Sequence, residues 1–424
     1  MTRASILLLA SLLSSACVLP ATSNDGDAGL MDEPSNVGSG SLADTRDGGL
    51  GSIEQLGQAL FEDTRLSEPS GVSCASCHVP LHAFSGNNES SVGSVSLGSR
   101  AGQFGNRNAP TAMYSFLSPP FGFVVDDEAT KEGEPPKLIP QGGQFWDGRA
   151  STLEQQAQGP FLNVHEMNNA SASAVVDKLK SAPYRALWDQ VYGARVLDQP
   201  TLAFERAAEA IAAFERSATF ARFSSKFDQV LRGKETFSPQ EQRGYNLFVD
   251  PQKGNCIACH VGDPKSRDPH DWPFTDFTYD NLGLPRNRAI PANADPNTFD
   301  LGLCRQPGLG EHLPESVSVD SLCGAFKVPT LRNIALTAPY GHNGVFTELR
   351  DMLRFYVTRD TSPELWYPRA LDGGVDKFDD LPPQYRGNVN QEEVPYDRKP
   401  GQTPRLDDAE LDDLLAFLQT LTDR

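Results

Sequence analysis

The chain has 424 residues, 38% of them hydrophobic, and a formal net charge of −19 from 56 acidic and 37 basic side chains. That length suffices for two domains with cores of their own. The acidic balance excludes nucleic acid as a partner and leaves a soluble surface that steers at most a basic protein.

At the N-terminus Arg3 precedes an apolar run from Ile6 to Leu13, followed by Ser14-Ser15-Ala16-Cys17. The run is too short to span a bilayer and reads as a lipoprotein-type signal peptide over residues 1–17, with Cys17 as the lipidated residue. Ser14 stands where such sites prefer Leu, and plain cleavage nearby is the alternative. The expected location is therefore the periplasm or cell envelope of a bacterium, anchored at Cys17. Residues 18–50 are rich in Gly, Asp, Ser and Asn and read as a flexible linker.

Helical patterns dominate the rest. Ile53, Leu56, Leu60 and Phe61 mark a first short helix. Ser151-Thr-Leu-Glu154 is a capping box that starts a helix, and further helices are expected over 175–192 and 202–220. Ser238-Pro-Gln-Glu241 opens another. A C-terminal helix carries Leu411, Leu414, Leu415 and Leu418 on one face, led by Asp407 and Asp408. Residues 118–140, 262–325 and 357–405 hold scattered Pro, Gly and Asn and read as long irregular loops.

Two copies of Cys-x-x-Cys-His occur: Cys74-Ala-Ser-Cys77-His78 and Cys256-Ile-Ala-Cys259-His260. This is the attachment sequence for c-type haem, in which two thiols bond the porphyrin and the adjacent His ligates iron. Zinc knuckles or a thiol redox pair need no following His, and both copies have one. The expected fold is mainly α, with two cytochrome c-like domains over 51–232 and 233–424. Each carries one covalent haem and is wrapped in long loops. Cys304 and Cys323 remain, and an oxidising compartment lets them pair. Such a bridge contributes about 3 kcal/mol by loop entropy.

Around the motifs lie Arg107-Asn-Ala-Pro-Thr111, Phe145-Trp-Asp-Gly-Arg149, Glu166-Met167, Phe326-Lys-Val-Pro-Thr-Leu-Arg-Asn333, Leu336-Thr-Ala-Pro-Tyr340 and His342-Asn-Gly344. This ordered set resembles the bacterial di-haem cytochrome c peroxidase superfamily, which includes MauG. The resemblance implies that Trp146 relays electrons between the haems and that Gln156, Pro160 and Glu166 line the open face of the first haem. It also implies a calcium ion between the domains, held around Asn108, Thr337 and Pro339 through oxygen ligands. His342-Asn-Gly departs from the family's His-Asp-Gly, and His342 is expected to hydrogen-bond near the second haem without ligating it.

In members fed by small cytochromes, a Met fourteen residues after that histidine ligates the second haem. Here the position is Tyr356, as in MauG-like enzymes, and Met352 one helical turn earlier is the rival. A phenolate ligand stabilises higher oxidation states, whereas a thioether raises the potential. Of the histidines between the motifs, His82 lies too near His78 to cross the porphyrin, and His165 is left as the alternative sixth ligand. The resemblance thus implies an enzyme of the di-haem peroxidase type, with an open first haem that meets hydrogen peroxide. Phe355-Tyr-Val-Thr-Arg-Asp-Thr361 and Glu364-Leu-Trp-Tyr-Pro368 are similar to a subgroup typified by MbnH, which oxidises a tryptophan of a partner protein. The expected reaction is therefore oxidation of an aromatic residue in a partner. The alternatives are peroxide reduction by a small cytochrome and a non-catalytic electron carrier.

Overall fold

A computed structural model describes residues 50–87, 90–126, 130 and 133–424. Cys17, the signal segment and the linker up to residue 49 lie outside them. The described backbone is mainly helical: α1 (Ser52–Glu62), α2 (Cys74–Cys77), α3 (Leu153–Leu162), α4 (Ala172–Leu179), α5 (Arg185–Tyr192), α6 (Pro200–Glu215), α7 (Lys226–Leu231), α8 (Pro239–Val249), α9 (Leu309–His312), α10 (Leu349–Thr358) and α11 (Asp408–Gln419). Two short antiparallel pairs supply the strands, β1 (Gly122–Val125) with β2 (Leu138–Gln141) and β3 (Tyr279–Asp280) with β4 (Phe326–Lys327). No described helix is long and apolar enough to cross a membrane.

Capping chemistry sets several of these boundaries. Ser238 accepts from the Glu241 amide at 3.2 Å and Glu241 returns a 2.6 Å contact to the Ser238 N–H, so α8 starts where its capping box lies. Asp407 does the same for α11, accepting from the Glu410 amide at 2.9 Å. The third box is displaced by one residue. Thr152, not Ser151, caps α3 by accepting from the Gln155 amide.

Three expectations are corrected. The helix expected over 175–192 is two, α4 and α5, because Pro183 supplies no backbone donor and disfavours helical geometry at Ala182. The helix expected over 202–220 runs from Pro200 to Glu215, its proline at the first turn where no donor is needed. Residues 118–140 contain strand β1, which pairs with β2 in the register Gly122↔Gln141. Pro140 lies within the ladder on β2, opposite Phe123, in a sheet of only two strands where every strand is an edge.

Buried side chains gather in two clusters. One holds Leu56, Phe61, Phe161, Trp188, Phe204, Phe214 and Phe220; the other holds Phe227, Phe248, Trp272, Phe274, Phe355 and Phe417. Each is built around a helix pair crossing at a glycine. A β-carbon on Gly57 of α1 would lie 1.9 Å from the Ala210 carbonyl oxygen of α6, and one on Gly244 of α8 would lie 2.0 Å from that of Asp413 on α11. Phe61 then meets Phe214 edge-on at 5.6 Å, and Phe248 meets Phe417 at 5.2 Å. The same Gly-x-x-x-Phe device therefore precedes both Cys-x-x-Cys-His motifs.

Two polar ties cross the described chain. Arg332 makes a two-pronged contact with Asp228 at 3.1 and 3.2 Å, with side chains 1% and 0% exposed. Its remaining donors reach the carbonyls of Trp272 and Pro269. At the chain end, Asp423 accepts from the Tyr114 hydroxyl (2.6 Å), the Asn333 amide (2.9 Å) and the Ser224 N–H (2.9 Å). Cys304 and Cys323 are joined in a disulfide, as their pairing by elimination requires.

Candidate active site

At the first motif a single turn, α2, presents Cys74 and Cys77, and His78 closes it by donating its N–H to the Cys74 carbonyl at 2.9 Å. The chain then turns through Ala83 and Phe84, both left-handed (φ 51° and 53°). That turn brings the Phe84 carbonyl to 3.0 Å from His78 Nδ1. Thr111 fixes the preceding carbonyl, of Ala83, at 2.5 Å.

The second motif repeats this construction. Cys256–Ala258 forms a 3-10 turn, and His260 donates its N–H to the Cys256 carbonyl at 2.9 Å. Phe274, again at φ 53°, places its carbonyl 3.1 Å from His260 Nδ1. Thr330 holds the carbonyl of Pro273 at 2.6 Å.

Both imidazoles are neutral. Burial pulls His260 down to about 4 and lowers His78, more strongly than the carbonyls of Phe274 and Pro329, or of Phe84 and Pro110, can raise them. A neutral ring that donates from Nδ1 has its lone pair on Nε2, the form that ligates iron. Burial raises the thiols too, to about 11 for Cys77 and about 12 for Cys256. The four motif cysteines form no disulfide. The donor set thus fits two covalent c-type haems.

Beside the first motif is a pocket lined by Phe145, Arg149, Gln155, Pro160, Asn163 and Glu166. Glu166 accepts from the Asn163 amide at 2.8 Å. Its carboxyl is raised above the usual range because burial outweighs Arg149 and that hydrogen bond. Of the residues expected here, Pro160 and Glu166 line the pocket. Gln156 is half-buried on α3 outside the lining, where its neighbour Gln155 stands. His165 is exposed and does not line it either.

The second motif opens on a cavity of about 270 Å³ whose walls include Cys256, Cys259, His260, Trp146, Met352, Tyr356, Asp280 and Tyr396. Both Tyr356 and Met352 reach it from α10. Tyr356 is half-buried, and desolvation of its hydroxyl raises it strongly toward the neutral form. His342 lines the same cavity, stacked on Phe326 at 3.5 Å and 3.7 Å from Asp380.

Trp146 is fixed at both ends. Its indole N–H donates to the Asn108 carbonyl at 2.8 Å, and its own carbonyl accepts from the Lys327 N–H at 2.8 Å. The Asn108 side chain meets the carbonyls of Pro339 (2.6 Å) and Gly341 (3.3 Å), while Thr337 donates its hydroxyl to Ile334. No group of three or more His, Cys, Asp or Glu placed to hold a metal occurs among the described residues. Any ion here would rely on amide and carbonyl oxygens.

The Phe–Thr clamps on the two histidines, buried Lys327 and the Asp280–Tyr396 pair are absent from the sequence reading. The repeated Ala-Pro-Thr and Val-Pro-Thr triplets were the available signal for the clamps. Lys327, whose ammonium hydrogen-bonds the Gly143 carbonyl, is lowered to about 7 by burial, against the pull of Asp147.

Residues 52–236 match the family model for di-haem cytochrome c peroxidase. The methylamine utilization protein MauG of Paracoccus denitrificans is 37% identical over 379 residues, covering 88% of this chain and 89% of that one. Among solved structures, the diheme peroxidase BthA from Burkholderia thailandensis superposes with a TM-score of 0.79 at 41% identity, covering 88% of this chain and 86% of that one. A MauG-like protein associated with microbial copper homeostasis superposes with a TM-score of 0.59 at 26% identity, over 89% of this chain and 91% of that one.

Proposed function

This chain belongs to the di-haem cytochrome c peroxidase family, and from that premise we propose that it uses hydrogen peroxide to oxidise a tryptophan of a partner protein. As a di-haem peroxidase it is an enzyme, which sets aside the electron-carrier reading. The observation that carries the proposal is the unlike character of its two sites. The first offers an acid, Glu166, in a pocket that His165 does not line. The second is walled by α10 with Tyr356.

We assign Cys74, Cys77 and His78 to the first haem and Cys256, Cys259 and His260 to the second, in halves 51–232 and 233–424. The duplicated glycine crossing and the duplicated histidine clamp support two cytochrome c-like domains. When bound, the haems supply the redox centres that reduce peroxide and share its oxidising equivalents. Glu166 takes the proton from the near peroxide oxygen and returns it to the far one, so that water leaves. Asn163 orients that carboxylate, Pro160 shapes the pocket, and Gln155, in place of Gln156, faces the oxidant from α3. Trp146, held by Asn108 on one side and Lys327 on the other, bridges the two sites as the electron relay. Tyr356 would hold the second haem through its phenol oxygen, which would favour the holding of oxidising equivalents.

Calcium fits between the halves if the Asn108 amide turns over, since its oxygen would then join the Pro339 and Gly341 carbonyls in facing one cation. Thr337 would contribute from the same loop. The disulfide supports an oxidising compartment such as the periplasm, and Cys17 is the proposed anchor.

The second reading, peroxide reduction fed by a small cytochrome, has one observation in its favour. Met352 lines the same cavity one turn from Tyr356, and thioether ligation would suit a cytochrome donor. Mass spectrometry of co-purified or genomically neighbouring proteins after peroxide treatment tests the choice. An oxidised tryptophan in one partner is expected. Rapid peroxide turnover with a reduced small cytochrome, and no modified partner, would give the function to the second reading.

A further inference from the structure

We propose that Tyr396 is a redox-active residue of the second site, a phenol that gives an electron to the haem held there and its proton to Asp280. The inference rests on the assignment of a haem to Cys256, Cys259 and His260.

Tyr396 is 5% exposed and lines the same cavity as His260 and Tyr356. Its ring centre lies 6.1 Å from that of Tyr356, with the planes inclined by 31°. Its hydroxyl donates to Asp280 at 2.8 Å. The Glu393 carboxylate stands 3.3 Å from the same oxygen, on an exposed residue. Asn390 contacts both the Tyr396 hydroxyl and Asp280 at 3.3 Å, and the Arg359 guanidinium lies 4.8 Å over the ring.

A phenol loses an electron readily only if its proton leaves as well, because the protonated radical cation is strongly acidic. A carboxylate at hydrogen-bond distance lets both depart together. In the step, the Tyr396 O–H bond breaks, an O–H bond forms on Asp280, and a neutral phenoxyl remains. The electron cancels one of the two oxidising equivalents left on the haem pair when peroxide is reduced to water. Glu393 then offers the proton a way out through the loop.

Other phenols on this cavity are less suited. Tyr340 donates to a backbone carbonyl, that of Ile334, which is no proton acceptor. Tyr114 donates to Asp423, yet it shares the same carboxylate oxygen with Asn333, whereas Asn281 and Asn390 bind the Asp280 oxygen that Tyr396 does not use, and the Tyr114 oxygen also accepts from the Phe223 N–H.

The test uses the protein loaded with both haems, mixed with peroxide without donor and freeze-quenched for electron paramagnetic resonance. A radical signal that narrows when tyrosine is ring-deuterated is expected. Tyr396→Phe should lose it while the resting spectrum of both haems is unchanged, and Asp280→Asn should diminish it with the phenol retained. A tyrosyl signal that survives in Tyr396→Phe, one lost instead in Tyr114→Phe, or no tyrosyl signal at any quench time overturns the proposal. A resting protein without a haem at Cys256 and Cys259 would overturn the underlying assignment, and this inference with it.

Discussion

In the proposed reaction Glu166 carries the proton transfer at the first site with one carboxyl group. Because burial raises it, the base form that accepts the peroxide proton is lost earlier on acidification than for an ordinary glutamate. The rate of peroxide reaction, followed by stopped-flow absorbance, should therefore fall as pH drops through that raised value. Glu166→Gln should slow the reaction by about 10²- to 10⁴-fold and flatten the profile. At the second site the ligand question is equally local. Tyr356→Phe should change the spectrum of the haem proposed at the second site while Met352→Leu leaves it alone. The reverse result would make Met352 the ligand and move the reading toward a cytochrome-fed peroxidase. That Glu166 and Tyr356 line cavities near the two motifs was open to sequence reading, because haem attachment demands a rigid spacing and the flanking motifs come in a fixed order. Gln155 and Gln156 show the limit. They are adjacent, and only the exact start of α3, set by Thr152, decides which one faces the pocket.

Helices whose caps and apolar stripes agree, such as α1, α8 and α11, were legible in advance. The break at Pro183 and the β1–β2 pair were not, because one depends on a single missing donor and the other on long-range pairing. The histidine clamps were hidden for a different reason. They require left-handed Phe84 and Phe274, a conformation that phenylalanine seldom adopts and that tertiary contacts impose. The glycine crossings are the element-scale feature most open to test. Gly57→Ala would push α1 from α6, and Gly244→Ala would push α8 from α11, each against backbone that cannot yield as a side chain would. Each should cost about 1–3 kcal/mol, read as a lower midpoint in chemical denaturation of the haem-loaded protein.

For the molecule as a whole, the buried Arg332–Asp228 pair is the polar contact most exposed to damage. Both Asp228 oxygens are engaged, Oδ2 by Ser225 and Arg332 and Oδ1 by Arg332, so the ions are compensated only while both remain. Asp228→Asn leaves a buried guanidinium without its countercharge and should lower stability by about 3–5 kcal/mol in equilibrium unfolding. The effect should exceed that of removing either surface pair of Arg350, with Asp408 or Asp412, where solvent screens the charges.

Asp423 carries a consequence for how the protein is made. Asp423 seals Tyr114 and Ser224, which lie some two hundred positions or more earlier in the chain. A polypeptide emerging N-terminus first can shape α1 to α6 as they appear, but it cannot finish that region until Asp423 has been added. A stop before Asp423 that spares every residue proposed to hold a haem would still leave Tyr114 and Ser224 unsealed.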